Sequence, residues 1–92
     1  MARKRKFEKL HLSSERWGEI RFDTAHSAHE AAIKATRMAR QGWKVKVTAR
    51  GPKALMTCHG EGVRGKAGRG SWETSVARCT MTTAFRNRVR GR

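Results

Sequence analysis

Acidic residues are scarce in this chain, and their scarcity narrows the choice of partner. Seven Asp and Glu stand against 22 Lys and Arg in 92 residues, which gives a net charge of +15 and an isoelectric point near 11.6. In a compact protein with this imbalance, the positive charges repel one another and destabilise the folded state. Such a charge is hard to explain without a polyanion to bind. Nucleic acid is therefore the leading candidate, either DNA or RNA.

Long apolar runs and a secretion signal are also missing. No stretch approaches the roughly 18 apolar residues that a membrane-spanning helix needs. The basic start MARKRK is followed by FEKLHL and not by an apolar segment with a cleavage site. We expect no membrane partner and an intracellular location, cytoplasmic or nucleoid-associated. In that compartment the two cysteines, Cys58 and Cys79, are expected to be reduced and apolar.

Patterns typical of metal sites and of catalysis are absent from the sequence. His26 and His29 lie beside Glu30, and Cys58 precedes His59, but there is no C-x-x-C pair of the kind that structural zinc sites use. Tyrosine is lacking, and no Walker, nucleophile-elbow or dinucleotide motif occurs. We expect no metal, no cofactor and no enzymatic activity.

The clearest pattern in the chain is an amphipathic helix over residues 24–41. Its apolar positions recur every three or four residues and are mostly alanine: Ala28, Ala31, Ala32, Ala35, Met38 and Ala39. Ser27 and Glu30 fit a capping box, with Thr24 as a rival cap, and Gly42 provides a left-handed end. Because methyl groups fill little volume, this helix is suited to lie close against a flat sheet.

Alternating residues predict strands on both sides of the helix, at 7–12, 16–23, 43–50 and 53–59. Leu10 and Leu12 share one face of the first strand, and the hydroxyl-rich residues 13–15 predict a turn into the second. Residues 72–83 are rich in threonine and favour a strand, although Ser71 could instead cap a helix there.

The predicted order is therefore β-β-α-β-β-β, an α+β fold with one helix on one face of a mainly antiparallel sheet. With a single helix, the other sheet face stays exposed and is the expected binding surface. Alternation assigns six residues to it: Trp17, Arg21, Lys44, Lys46, Thr48 and Arg50. A slip of one residue in register would invert this assignment.

Half of the 22 cations lie in segments that look unable to pack. We predict a single domain at 7–85, with a basic arm at 1–6, a glycine-rich loop at 60–71 and an arginine-rich flexible tail at 86–92. Such mobile cations can follow a phosphate backbone, although a charged loop can equally be a solubilising one. The cations are Arg3, Lys4, Arg5 and Lys6 in the arm, Arg64, Lys66 and Arg69 in the loop, and Arg86, Arg88, Arg90 and Arg92 in the tail.

Trp17 has two interpretations. An exposed tryptophan among arginines can stack on an unpaired base. A chain with only three Trp and three Phe, however, needs most of its aromatic residues in the core, and we expect this for Trp17 as well as for Trp72.

The sequence thus predicts a small nucleic-acid-binding protein with low sequence specificity, which uses Trp17, the cations of the sheet face and those of the arm, loop and tail. An alternative is an accessory or inhibitor protein, of phage or mobile-element type, that docks on an acidic surface of a larger nucleic-acid enzyme. A third possibility, a component of a ribonucleoprotein particle, shares the chemistry of the first.

Overall fold

The computed structural model describes residues 9–62 and 75–91, and these ranges form an α+β fold of five strands and two helices. In chain order the elements are β1 (Leu10–Arg16), β2 (Glu19–Ala25), α1 (Ala28–Ala39), β3 (Lys44–Thr48), β4 (Met56–Gly62), β5 (Ser75–Met81) and α2 (Thr83–Gly91). The predicted fold class and the order β-β-α-β-β-β are confirmed, and the preference for a strand within 72–83 is correct. A second helix follows that strand.

The helix α1 is shorter than the predicted 24–41, but Ser27 and Gly42 delimit it as the sequence indicates. The hydroxyl of Ser27 accepts a 3.0 Å hydrogen bond from the backbone N–H of Glu30. The Glu30 carboxylate in turn accepts a 2.9 Å bond from the backbone N–H of His26, one residue earlier than in the usual capping box. Thr24, the rival cap, lies in β2. Gly42 has a φ of 94°, which lets the chain leave the helix in the left-handed conformation.

The core lies between α1 and one face of the sheet. Four alanines of α1 are buried, and they pack with apolar side chains from the sheet and from α2. The alanines are Ala28, Ala31, Ala35 and Ala39, and the larger buried residues are Leu10, Leu12, Trp43, Val45, Val47, Met56, Cys58 and Phe85. Small side chains on the helix thus allow the large ones of the sheet to fill the space beneath it.

The turn predicted at residues 13–15 is wrong, because β1 continues through them to Arg16. The alternation of Leu10 and Leu12 extends to Ser14, which is only 2% exposed and donates a 3.5 Å hydrogen bond to the sulfur of Met38. The chain turns instead at Trp17 and Gly18, which both have positive φ (50° and 83°), as in the type I′ turn of a two-residue hairpin. The predicted hairpin exists, but it is longer than expected.

The five strands form one antiparallel sheet in the order β2-β1-β3-β4-β5. In β2 the predicted alternation is correct but its faces are inverted. Leu12 is the partner of Asp23 and Ser14 is the partner of Arg21, so Arg21 lies on the helix-bearing side and not on the exposed one. The tight turn fixes this register. It leaves Ile20 and Phe22 of β2, an edge strand, on the exposed side, whereas Ala25 at the end of the strand is buried in the core.

The expectation that the cysteines are reduced is wrong, because Cys58 and Cys79 form a disulfide. The two residues are direct cross-strand partners on β4 and β5, with their Cα atoms 4.0 Å apart. The prediction relied on the cellular compartment, whereas the register of two strands separated by a glycine-rich segment decides whether the thiols meet. The end of β4 also occupies residues 60–62 of the predicted loop.

The flexible tail predicted at 86–92 is wrong for residues 86–91, which belong to α2. The hydroxyl of Thr82 accepts a 3.2 Å hydrogen bond from the backbone N–H of Phe85, in the manner of a helix N-cap. Phe85 is 1% exposed, and Val89, one turn later, packs against the core. Two apolar anchors four residues apart are enough to dock the helix, and the arginines between them lie on its exposed side.

Candidate nucleic-acid interface

The sheet face opposite α1 is the candidate interface, and we call it the open face. Within the described ranges no helix packs on it, because both helices contact the other side. Strand register assigns three residues from each strand to the open face: Ile20, Phe22 and Thr24 of β2, His11, Ser13 and Glu15 of β1, Lys44, Lys46 and Thr48 of β3, Thr57, His59 and Glu61 of β4, and Val76, Arg78 and Thr80 of β5.

One register row of the open face combines an aromatic ring with a cation. Phe22 is the partner of Ser13, and Ser13 is in turn the partner of Lys46. The row continues through Thr57 to Thr80. The hydroxyl oxygens of these two threonines are 3.0 Å apart. Phe22 is 79% exposed, the largest exposure among the big apolar side chains of the described residues. Because neighbouring strands are about 4.8 Å apart, Lys46 lies about 10 Å from Phe22 across the sheet.

The open face carries charges of both signs, with more Lys and Arg than Glu among its described residues. Lys44 and Lys46 are exposed, and neither forms an ion pair with any described residue. Glu15 is the cross-strand partner of Lys44. Arg78 is held by Glu61 through a 3.1 Å ion pair. The two lysines are therefore the cations of this face that are available to a phosphate.

Trp17 lies in the β1–β2 turn and is 71% exposed, so the expectation that it is a core residue is wrong. One side of its ring is covered by the guanidinium of Arg16, 4.6 Å from the ring centroid. The same guanidinium is 4.4 Å from the centroid of Trp43, a core residue. Arg21, 4.9 Å from the Trp43 centroid, joins this group and forms a 3.3 Å ion pair with Glu19. Trp17 and Arg21 are thus not part of the open face.

The other predicted cations within the described ranges are distributed elsewhere. Arg50 is exposed in the bend after β3, and Arg86, Arg88 and Arg90 are exposed on α2. The predicted site residues Arg3, Lys4, Arg5, Lys6, Arg64, Lys66, Arg69 and Arg92 lie outside the described residues, as does Trp72. The structure therefore brings together Lys44 and Lys46 and separates them from the arginines of α2.

A second basic surface, which we call the α1–α2 groove, lies on the helix-bearing side. A depression of about 330 Å³ runs along α1 beside α2, and its lining residues include Ile33, Arg37, Arg40 and Val89. It adjoins a larger one of about 840 Å³, lined partly by Arg88 and Arg90. Among the described residues, neither lining contains an acid. Arg37 and Arg40 were missed as site residues because helix periodicity shows only that they point away from the core.

Within the described ranges, Lys34 forms ion pairs with two acids, whereas Arg21 and Arg78 each pair with one. Its Nζ atom is 3.3 Å from the Glu30 carboxylate and 3.4 Å from that of Asp23. The pKa of Glu30 is lowered, first by the hydrogen bond from the His26 N–H and then by Lys34. For Lys34, desolvation acts to lower the pKa, but the bonds and charges of Glu30 and Asp23 outweigh it and the pKa is raised. Lys34 thus links α1 to β2 and is occupied by these contacts.

The described residues contain neither a group of metal ligands nor a helix that could span a membrane. In residues 9–62 and 75–91, no three His, Cys, Asp or Glu side chains are grouped so that they could hold a metal ion. Neither helix in these ranges has the length and apolarity that a membrane crossing requires.

The chain was compared with models of known protein families, with curated proteins and with solved structures, and it matches none of them. Its function is therefore inferred from the geometry and charge of its surfaces.

Proposed function

We propose that this chain is a nucleic-acid-binding protein of low sequence specificity that holds the phosphate backbone against the open face of its sheet. The observation that carries the proposal is the exposure of Lys44 and Lys46 on a sheet face that no described helix covers, with Lys46 in the same register row as the exposed ring of Phe22. Lysines on a flat surface contact phosphates without reading bases, which explains the low specificity.

Two features support a polyanion as the ligand. Even if each of the seven acids paired with one of the 22 Lys and Arg, 15 positive charges would remain without an internal partner. Lysine carries a point charge on a flexible side chain. Two lysines that are two residues apart on the same face of β3 can therefore adapt to the positions of successive phosphates. Arg37, Arg40 and the exposed arginines of α2 extend the positive field around the molecule and should accelerate association with a polyanion.

The proposal is tested by titrating labelled single-stranded and duplex DNA and RNA with the full chain at several salt concentrations. The logarithm of the binding constant should fall with the logarithm of salt by about 0.9 per phosphate contact on duplex DNA and about 0.7 on single strands. A binding constant that does not change with salt would contradict the proposal.

The double variant Lys44→Gln/Lys46→Gln locates the surface, because both side chains are exposed and should be dispensable for folding. It should reduce the slope of the binding constant against salt by an amount that corresponds to about one to two phosphate contacts. The matched control is Arg37→Gln/Arg40→Gln, which removes the same charge from α1 on the other side of the molecule. Equal losses of affinity in the two variants would show that binding depends on the total charge and not on the open face.

An intracellular location, cytoplasmic or nucleoid-associated, is part of the proposal because nucleic acid is abundant there. Disulfides are uncommon in that compartment. Thiol alkylation during rapid lysis, followed by mass measurement, would report whether Cys58 and Cys79 are bonded in the cell. The Cys58–Cys79 disulfide of the structure counts against this location, and a pair that is also fully bonded in the cell would overturn it, whereas reduced thiols in the cell would agree with it.

The α1–α2 groove favours a second candidate function, which is docking on an acidic surface of a protein partner. Its lining combines apolar Ile33 and Val89 with Arg37 and Arg40, so an acidic segment with an apolar face would match both components. Pull-down from nuclease-treated lysate separates the candidates. A stoichiometric partner that is lost with Arg37→Gln/Arg40→Gln and kept with Lys44→Gln/Lys46→Gln would favour this second function.

A further inference from the structure

A recess lies beside Phe22 on the open face, between β2, β1 and β3. Its volume is about 460 Å³, and its lining contains one aromatic ring, one imidazole and three hydroxyl groups on this face: Phe22, His11, Ser13, Thr24 and Thr48. Leu12 and Asp23 also line it, but Leu12 is buried in the core and the Asp23 carboxylate is 3.4 Å from Lys34. The recess is therefore formed by an aromatic surface and hydrogen-bonding groups.

We propose that this recess accepts an unpaired nucleobase, which stacks on the Phe22 ring, so that the substrate class is single-stranded nucleic acid. The inference rests on the proposed function and specifies its ligand. In a duplex both faces of every internal base are covered by its neighbours, and only an unpaired base can offer a face to a protein ring.

The exposure of Phe22 is the first argument for a stacked base. A phenylalanine that is 79% exposed gives up most of the hydrophobic stabilisation that burial would supply. The register of β2 does not allow Phe22 to reach the core, because its partner Ser13 lies on the open face. A base placed over the ring would remove this apolar surface from water, and every base type offers a flat ring that can do so.

The second argument is the arrangement of polar groups around the ring. His11 is the register partner of Thr24 on one side and of Thr48 on the other, so an imidazole is flanked by two hydroxyls. Hydroxyl groups donate and accept hydrogen bonds, and an imidazole offers two ring nitrogens that form hydrogen bonds. These groups can satisfy the edge of any base, which agrees with low sequence specificity.

The third argument is the position of Lys46 in the same row as Phe22, with Ser13 between them. At about 10 Å from the ring across the sheet, the lysine is placed to contact the backbone of the same strand whose base is stacked. An aromatic ring for the base combined with a cation for the phosphate is the usual arrangement of proteins that bind single strands.

The experiment compares Phe22→Ala with the wild-type protein, using a labelled single-stranded oligonucleotide and its duplex as probes. The variant should bind the single strand about 5- to 100-fold more weakly and leave duplex binding unchanged. Phe22→Trp should retain single-strand binding, because it preserves an aromatic surface. The matched control is Ile20→Ala, which shortens another exposed apolar residue on the same face of β2.

The outcomes distinguish this inference from the function on which it rests. If the wild-type protein binds no polynucleotide, both are overturned. The wild-type protein could instead bind with the expected salt dependence while Phe22→Ala weakens the binding of single strand and duplex equally, or weakens the binding of neither. In that case only the base-accepting recess is overturned. A loss with Ile20→Ala as large as that with Phe22→Ala would equally overturn it, because general apolar contact would then replace stacking.

Discussion

The Nη1 atom of Arg16 donates a 2.9 Å hydrogen bond to the carbonyl oxygen of Gln41, just beyond the C-terminal end of α1. This contact joins the end of the β1–β2 hairpin to the helix. Carbonyl groups at a helix C-terminus carry partial negative charge, so a cation is favoured there. The same guanidinium lies between the rings of Trp17 and Trp43, with its central carbon 4.6 Å and 4.4 Å from their centroids.

Replacing Arg16 with lysine should destabilise the fold although charge is conserved. A planar guanidinium stacks on two rings while it donates to Gln41, and an ammonium group cannot keep this geometry. We expect Arg16→Lys to lower the free energy of unfolding by about 1–2 kcal/mol, measured by chemical denaturation. Arg40→Lys is the control, because Arg40 is exposed. Equal effects of the two substitutions would show that the stacked arrangement contributes nothing.

The Cys58–Cys79 bond should account for a large share of the stability. It closes a chain segment with a sequence separation of 21, which corresponds to about 3 kcal/mol if its effect is entropic. Adding reductant to the wild-type protein should lower the denaturation midpoint, whereas the double variant Cys58→Ala/Cys79→Ala should be less stable and insensitive to reductant. A wild-type midpoint that is the same with and without reductant would contradict the bond's contribution.

Truncating Phe85 tests whether residues 83–91 are a docked helix. The side chain is 1% exposed in the core, so Phe85→Ala should lower the free energy of unfolding by about 3–5 kcal/mol. Asn87→Ala changes an exposed position of the same helix and should be neutral or slightly stabilising. If residues 83–91 formed a detached tail, the two substitutions would have equally small effects.

The charge of Glu30 should make part of the stability pH-dependent. Its pKa is below the ordinary value of 4.5 in the folded protein, chiefly because the carboxylate accepts from the His26 N–H. The unfolded chain therefore binds the proton more readily, so this contribution is present above pH 4.5 and is lost as the pH falls through the lowered pKa.

Glu30→Gln keeps an acceptor oxygen and removes the titration. The stability difference between the wild type and this variant should thus be largest near neutral pH and shrink in acid, which thermal unfolding at several pH values would measure. Glu15→Gln, on the other face of the sheet, is the control for a general effect of removing an acid. A wild-type advantage over Glu30→Gln that persists unchanged in acid would contradict the role of the charge.

The parts of the fold that the sequence predicted are those controlled by local patterns. The alanine stripe, Ser27 and Gly42 define α1, and the alternation around Val45 and Val47 defines β3 with its exposed lysines. These signals are read over a few neighbouring residues and depend little on the rest of the chain. The exposed position of Lys44 and Lys46 was predicted for this reason.

The parts that failed depend on partners distant in sequence. The faces of β2 follow from its pairing with β1 through a turn at Trp17, a residue type that does not signal a type I′ turn. The meeting of Cys58 and Cys79 depends on the register between β4 and β5. Placing Arg21 on the open face puts its neighbour Phe22 on the buried side, where apolar residues usually lie, and this expectation hid the candidate stacking residue. The spacing of Phe85 and Val89 was an available signal that the density of arginine obscured.

The covalent link between β4 and β5 has a consequence for limited proteolysis. A single cut of the backbone anywhere between Cys58 and Cys79 would leave two pieces that remain attached through sulfur. The nicked protein should migrate as one species without reductant and as two with it. The C-terminal piece, which carries Phe85, would stay at full effective concentration beside the rest of the core, so a chain cut once in this segment can still keep its fold.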